Sequence, residues 1–200
     1  MTATRETPTR RSVILDAALA EFTAHGVAGT SIEDIRRRSG ASVGSIYHHF
    51  GDKDGIAGAL YLEGLSRYQR GFTDVLGDAT TARSGVENGV RYHLSWVDAH
   101  RDLARFLLLA RDARVVVAAE KPLRDLNRKF FGRVDGWTRP RIADGELRDL
   151  DPELMYALWI GPSQELARHW LAGRSRASLT DAADVLADAA WRSLNPEAAR

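Results

Sequence analysis

Residues 30–53 read TSIEDIRRRSGASVGSIYHHFGDK, two short helical segments around a glycine turn. Ser31, with Asp34 three residues on, has the form of a capping box in which Asp stands for the commoner Glu, and Ile32 and Ile35 supply the inner face of the helix that follows. Gly40 is a natural left-handed stop. Ser42 is an N-cap for a second helix over 43–50. Helix, short glycine-containing turn, helix is the helix-turn-helix spacing.

The second helix has two unlike sides. With each residue advancing about 100°, Val43, Ile46, Tyr47 and Phe50 gather on one side, which is expected to pack inward. Gly44, Ser45, His48 and His49 gather on the other, which is small, hydrogen-bonding and free of acid. A helix about 10–12 Å across fits a major groove about 12 Å wide. The reading assigns base-edge contact to Gly44, Ser45 and His48, where glycine permits close approach and the other two supply polar groups. It assigns phosphate contact to Ser31, Tyr47, His49 and Lys53; such contacts position the protein while base contacts specify sequence. His48 and His49 diverge on the helix and have no cysteine to join them, so no metal is expected.

Working outward, the whole chain has helical periodicity. Residues 1–9 form an arm without apolar spacing, and a helix over 10–25 carries Leu15, Ala18, Leu19 and Phe22 on one face, with Gly26 as its stop. A long helix over 52–76 bears the stripe Ile56, Leu60, Tyr61, Leu65, Tyr68, Phe72 and Val75. Ser84 and Glu87 form a capping box for a helix over 85–99 with Val86, Val90, Leu94 and Val97 inside. The next helix, after Asp102, carries Leu103, Phe106, Leu107 and Ala110. Pro122 opens a further one, whose apolar face (Leu123, Leu126, Phe130, Val134, Trp137) is interrupted by Asn127; Pro140 is expected to kink or end it, and Asp144-Gly145 to turn the chain.

Asp151 and Pro152 open a helix in which residues 154–160 are apolar on every side, a pattern that calls for burial all round and hence for a dimer interface. The last helix starts at Thr180, with Ala183, Leu186, Ala187, Ala190 and Leu194 inside and an Asp188–Arg192 pair outside. The expected architecture is all-α, about nine helices: an arm over 1–9, a helix-turn-helix head over 10–53, a connecting helix over 54–76 and a ligand-binding and dimerisation body over 77–200. Leu158, Leu166, Trp170, Leu186 and Ala190 are the expected dimer contacts. Trp96, Phe106, Asn127, Phe130, Phe131 and Trp159 are the expected walls of an effector pocket, with Asn127 the polar member.

Composition narrows the chemistry. The chain has 200 residues, 44% of them hydrophobic and 28% charged, and no cysteine. That length can bury a core without disulfides, and the missing thiols exclude a disulfide framework, a thiolate zinc site and a cysteine nucleophile. The apolar runs, such as 106–110, 115–119 and the longer 154–160, fall far short of a membrane span, and the N-terminus has no secretory apolar stretch; a cytoplasmic protein is expected. The formal net charge is +1, and residues 1–75 carry nine basic and nine acidic side chains, so bulk charge makes no case for nucleic acid and the argument rests on local geometry. No Ser/His/Asp order, carboxylate pair, phosphate loop or dinucleotide fingerprint is present. No catalytic residue and no cofactor is expected.

The head resembles the N-terminal signature of the TetR (AcrR-type) family of bacterial transcription regulators. The matching residues are Thr30-Ser31, Asp34-Ile35, Ser39-Gly40, Tyr47-His48-His49-Phe50 and Lys53-Asp54. Gly161-Pro162 and the Leu171-Ala172-Gly173 ending resemble, less specifically, the family's dimerisation helices. Arg36 and Ser39 depart from the small residues usual there; the Arg36–Arg38 run can face the DNA backbone, or Arg36 can snorkel out of the core. The resemblance implies a homodimer whose two heads read a palindromic double-stranded operator, with a small, partly apolar effector that binds the body and releases the DNA. The competing readings are a helical small-molecule-binding protein or enzyme whose N-terminal helices are structural, and an activator in place of a repressor.

Overall fold

The computed structural model describes residues 9–109 and 119–199. Ten α-helices occupy the described residues: α1 (Arg10–Gly29), α2 (Ile32–Ser39), α3 (Val43–Phe50), α4 (Lys53–Gly77), α5 (Ala82–Ala99), α6 (Arg101–Leu109), α7 (Glu120–Ala143), α8 (Pro152–Trp159), α9 (Gly161–Leu171) and α10 (Leu179–Leu194), followed by a 3-10 turn at Pro196–Ala199. Ala110, expected on the sixth helix, lies outside the described residues, as does the arm up to residue 8.

Most boundaries follow from capping chemistry. The Thr9 side chain accepts from the Ser12 amide and starts α1. Gly26 takes a positive φ of 72° and breaks the α1 axis as expected, but one more turn follows before Thr30 ends the element. Ser31 and Asp34 form the expected reciprocal box, and Gly40 closes α2 in the left-handed conformation at φ 63°. Ser42 and Asp52 cap α3 and α4.

Three expectations are corrected. The fifth helix begins at Ala82, with Thr81 as its cap and Ser84 as the reciprocating third residue; Glu87 binds Arg83 and Arg91 on the helix surface instead. Pro140 does not end α7, which runs on to Ala143; its ring falls in the last turn, and the Arg141 guanidinium covers Trp137 at 4.1 Å while donating to the Trp137 carbonyl oxygen. The apolar helix from 152 is two helices, because the backbone turns at Ile160 just before Gly161 and Pro162. It is also not buried all round: Leu154, Tyr156 and Ala157 face solvent in the single chain.

The core is one continuous cluster. Ile14, Leu15, Ala18 and Phe22 of α1 meet Ile35, Ile46 and the first turns of α4 at Ile56 and Leu60. Each fully buried side chain of this kind contributes roughly 1.5–3 kcal/mol. In the body, α5 lies between α4 and α10, and α7 packs on α4. The two regions meet where α1 touches α4 and α6. Close approach needs glycine at two places: a Cβ on Gly85 would stand 2.0 Å from the Trp137 ring, and one on Gly71 would stand 2.2 Å from the Tyr92 hydroxyl.

Candidate nucleic-acid interface

The helix α3 is held by two side chains. Ile46 is fully enclosed in the bundle core, and Phe50, half-buried, packs against it one turn on. Gly44, His48 and His49 are exposed and Ser45 is half-buried, which puts the expected outward face at the surface. The His48 and His49 rings lie edge to face at 5.4 Å. No group of three or more His, Cys, Asp or Glu among the described residues could hold a metal ion.

Two residues placed inward by the helical wheel are outside. Val43 is 46% exposed and Tyr47 is 51% exposed. Inward packing is set by Ile46 and Phe50, so residues one step round the helix from them stand clear of the bundle. The exposed Tyr47 suits the phosphate contact expected of its hydroxyl, and Val43 adds an apolar group to the outward surface.

Other expected phosphate ligands are engaged within the chain. The Lys53 ammonium donates to the Thr30 carbonyl oxygen at 2.7 Å and to that of Ala28 at 3.4 Å, because the start of α4 lies against the end of α1. The Ser31 hydroxyl donates to the Asp34 carboxylate at 2.5 Å and accepts from the Asp34 amide at 3.2 Å. Those Ser31 hydrogen bonds, then the nearby Arg37 charge, hold the Asp34 carboxyl below its usual range. The arginine run is also paired: Arg36 with Glu33, Arg37 with Asp34, and Arg38 with Glu21 at 2.6 Å. Arg11 binds Glu63 at 2.6 Å and lies over the Phe50 ring. The even charge balance of the head is thus local as well as global.

The expected pocket residues do not form one wall. Phe130 and Trp159 are buried around Phe72, at 5.7 and 5.6 Å between ring centroids. Trp159 donates its indole N–H to the Val86 carbonyl oxygen. Asn127 faces Gln69, whose side-chain amide donates to Asn127 Oδ1 at 2.9 Å. Trp96 stacks on His100 at 4.7 Å and touches Tyr68 edge-on. Phe106 sits apart, stacked on Phe22 of α1. Phe131 is 49% exposed beside Tyr156 and is no pocket wall; it follows the buried Phe130 by one helical step, which turns it out.

The sequence reading missed the polar centre of the body. Gln69 is only 5% exposed and its Oε1 has no hydrogen-bond partner. His93 shares a hydrogen bond between Nδ1 and the Tyr68 hydroxyl at 2.9 Å, while its Nε2 has none. Burial pushes the His93 pKa down to about 4. The signal for His93 was present, since it falls three residues after Val90 and four before Val97 on the inner stripe of α5. The expected dimer contacts divide: Leu158, Leu166, Trp170 and Leu186 are half-buried, whereas Ala190 is buried within the single chain.

Comparison with known proteins places this arrangement. The N-terminal model of the bacterial regulatory proteins of the tetR family matches residues 14–60, which span α1, α2, α3 and the start of α4. The transcriptional repressor KstR2 of Rhodococcus jostii is 26% identical over 150 residues, 74% of this chain and 72% of that protein. The repressor AcnR of Corynebacterium glutamicum is 30% identical over 102 residues, 48% of this chain and 50% of that protein. The fold matches the fatty acid degradation regulator FadR from Bacillus halodurans with a TM-score of 0.79, at 18% identity over 94% of this chain and 97% of that one. It matches FadR from Bacillus subtilis, solved with stearoyl-CoA, with a TM-score of 0.77, at 19% identity over 89% and 96% of the two chains. The helix-turn-helix head and these relatives agree: residues 14–60 carry the N-terminal domain of the tetR family of bacterial regulatory proteins, and the all-helical body behind it has the fold of solved members of that family.

Proposed function

We propose that this tetR-family regulator is a non-enzymatic repressor that binds a palindromic operator in the cytoplasm as a homodimer and leaves it when a small, partly apolar molecule binds. The observation that carries the reading is the outward surface of α3, where Gly44, His48 and Tyr47 are exposed with no acidic residue among them while Ile46 fixes the helix from behind. His48 and Ser45 serve base edges, Val43 is suited to a thymine methyl group, and Tyr47 and His49 serve phosphates. Lys53 and Ser31 act mainly by fixing the head, through the bonds they make to Thr30 and Asp34.

The effector is received in the body between α4, α5 and α7. Buried polar groups are nearly always satisfied, and Gln69 and His93 each keep one unsatisfied atom among the aromatic side chains of that region. A ligand with an apolar body and a hydrogen-bonding group would supply the missing partners. The likeness to FadR, whose structure holds stearoyl-CoA, supports a partly apolar ligand. The dimer forms through the exposed apolar side chains of α8 and α10, with the half-buried Leu158 and Leu186 beside them. The two α3 helices would then meet successive major grooves about 34–36 Å apart.

The test is an electrophoretic mobility shift on the DNA flanking the protein's own gene, run across salt concentrations. Binding to one segment should exceed binding to its scrambled version by at least about a thousandfold and should weaken steeply with salt. Equal affinity for both sequences would overturn the reading.

A further inference from the structure

A cavity of about 380 Å³ opens where the head meets the body. Its walls come from Phe22 and Thr23 of α1, from Arg105, Phe106 and Leu109 of α6, and from Leu171 at the end of α9. The Phe22 and Phe106 rings stack with centroids 5.9 Å apart and planes within 14° of each other, which makes a flat apolar wall. This site is separate from the effector region around Gln69 and His93.

Two polar groups line the cavity. The Thr23 hydroxyl is buried and has no hydrogen-bond partner. Arg105 donates one N–H to the Leu171 carbonyl oxygen at 2.7 Å and has no carboxylate partner among the described residues. A guanidinium carries five N–H donors in a planar fork, and among the described residues only one is engaged. No lining residue is acidic. Other arginines of this region are matched: Arg101 pairs with Asp98, and Arg38 with Glu21. A cation and a hydroxyl, the one without a carboxylate and the other without any hydrogen-bond partner among the described residues, meet a flat aromatic wall in one cavity.

We infer that this cavity binds a small organic acid with a flat apolar body. The carboxylate accepts from the Arg105 fork, the strong bidentate geometry for that pair. The Thr23 hydroxyl donates to the acid, and the ring system lies against Phe22 and Phe106. One wall is α1, the first helix of the head, and the others belong to the body. An acid that fits one setting of α1 against α6 better than another therefore shifts the head between them, by its difference in affinity for the two. The binding claim stands without the proposed repressor function; only the coupling to DNA rests on it.

Calorimetric titration of the full chain with naphthoate and with its uncharged twin, naphthalenemethanol, tests the site. The wild type should bind the acid at least about tenfold more tightly than the alcohol. Arg105→Gln should abolish that preference, Arg105→Lys should keep part of it, and Thr23→Val should weaken the acid several-fold. Thermal melts identify any variant that fails to fold, and the remaining two then decide the matter. Equal affinity of wild type and a folded Arg105→Gln for naphthoate, or no saturable binding to the wild type, would overturn the site. In a second arm, saturating naphthoate should release operator DNA from the wild type and not from Arg105→Gln. Undiminished DNA binding with the acid bound would overturn the coupling and leave the site standing, whereas failure of the repressor reading shows as no operator binding before any acid is added.

Discussion

The Lys53 ammonium donates to the Thr30 carbonyl oxygen across 2.7 Å, tying the first turn of α4 to the residue that ends α1. Thr30 is itself held, since its hydroxyl donates to the Gly26 carbonyl oxygen at 2.8 Å. A cation at the C-terminal end of a helix is also favourable to the helix dipole. The same side chain therefore closes the three-helix head and sets the angle at which the long helix leaves it. Lys53→Met should destabilise the fold by about 1 kcal/mol, discounted for partial exposure. On a chain of this size that lowers the melting temperature by about 2–4 °C. Scanning calorimetry checks it, and an unchanged melting temperature would return Lys53 to a purely DNA-facing role.

Tyr47 and His48 should separate positioning from specificity. Both are exposed, so Tyr47→Phe and His48→Ala should change stability by less than about 0.5 kcal/mol. Tyr47→Phe should weaken binding to operator and to scrambled DNA alike, by about fivefold, the worth of one net hydrogen bond. His48→Ala should cost about 1–3 kcal/mol on the operator and relax preference at one base pair. Fluorescence anisotropy on a set of single-base operator variants reads both. If His48→Ala weakens all sequences equally, His48 contacts the backbone and not a base.

The head was legible in the sequence because its signals are local. Ser31 and Asp34, Gly40 and Ser42 act within a few residues of one another, and each does so as read. What the sequence concealed depends on what lies opposite. Val43 and Tyr47 are apolar enough to pack, but about half of each stands clear of the bundle. The start of α5 reads as a Ser84–Glu87 box, whereas the structure caps it with Thr81 and Ser84, and the Glu87 carboxylate serves two arginines instead. Gln69 and Asn127 meet across 58 positions of sequence, so no local pattern could pair them. The composition of α8 calls for burial on every side, hence a dimer interface; the fold shows that the single chain leaves Leu154 and Tyr156 uncovered.

Gly85 has no room for a methyl group. Its Cβ position lies 2.0 Å from the Trp137 ring, and Trp137 is pinned on its other sides by Trp159 at 5.7 Å and by the Arg141 guanidinium. The helix α5 would gain from alanine by propensity alone, by about 1 kcal/mol. The clash should dominate, because overpacking a filled site costs about 1–3 kcal/mol and here the ring cannot swing aside. Gly85→Ala should therefore lower the urea midpoint, and Gly132→Ala, where a Cβ meets nothing within 4 Å on an exposed stretch of α7, should raise it. Equal midpoints for the two variants would contradict the packing of α5 on α7.

His93 makes stability depend on pH in a definite direction. Burial holds its pKa near 4, against 6.5 for a free imidazole. Between those values the unfolded chain binds a proton that the folded chain refuses. The stability contributed by neutral burial is complete above about pH 6.5 and is lost as pH falls toward about 4, by up to about 3 kcal/mol. His93→Gln, which cannot protonate, should flatten this part of the curve and leave the acid limb set by carboxylates. Denaturant titrations between about pH 7.5 and about pH 4.5 measure it. An unchanged slope in the variant would show that some other group takes up the proton.

Val185 carries the last prediction. It is 69% exposed on α10, the most exposed of the large apolar side chains among the described residues, and Leu154 and Tyr156 of α8 are exposed as well. An isolated exposed valine needs no explanation, but apolar side chains left uncovered on two helices that pack against each other fit the proposed dimer face. Val185→Glu leaves the subunit interior untouched, so the monomer should lose less than about 0.5 kcal/mol. In a two-fold interface the substitution enters twice and buries two carboxylates without partners. The dimer dissociation constant should rise by at least about a hundredfold, equivalent to about 2.7 kcal/mol. Sedimentation velocity at micromolar protein reads the change directly, and operator affinity should fall with it, since a single head holds half of a palindrome. A Val185→Glu protein that sediments as the wild type would place the dimer contact elsewhere, on a face that α8 and α10 do not share.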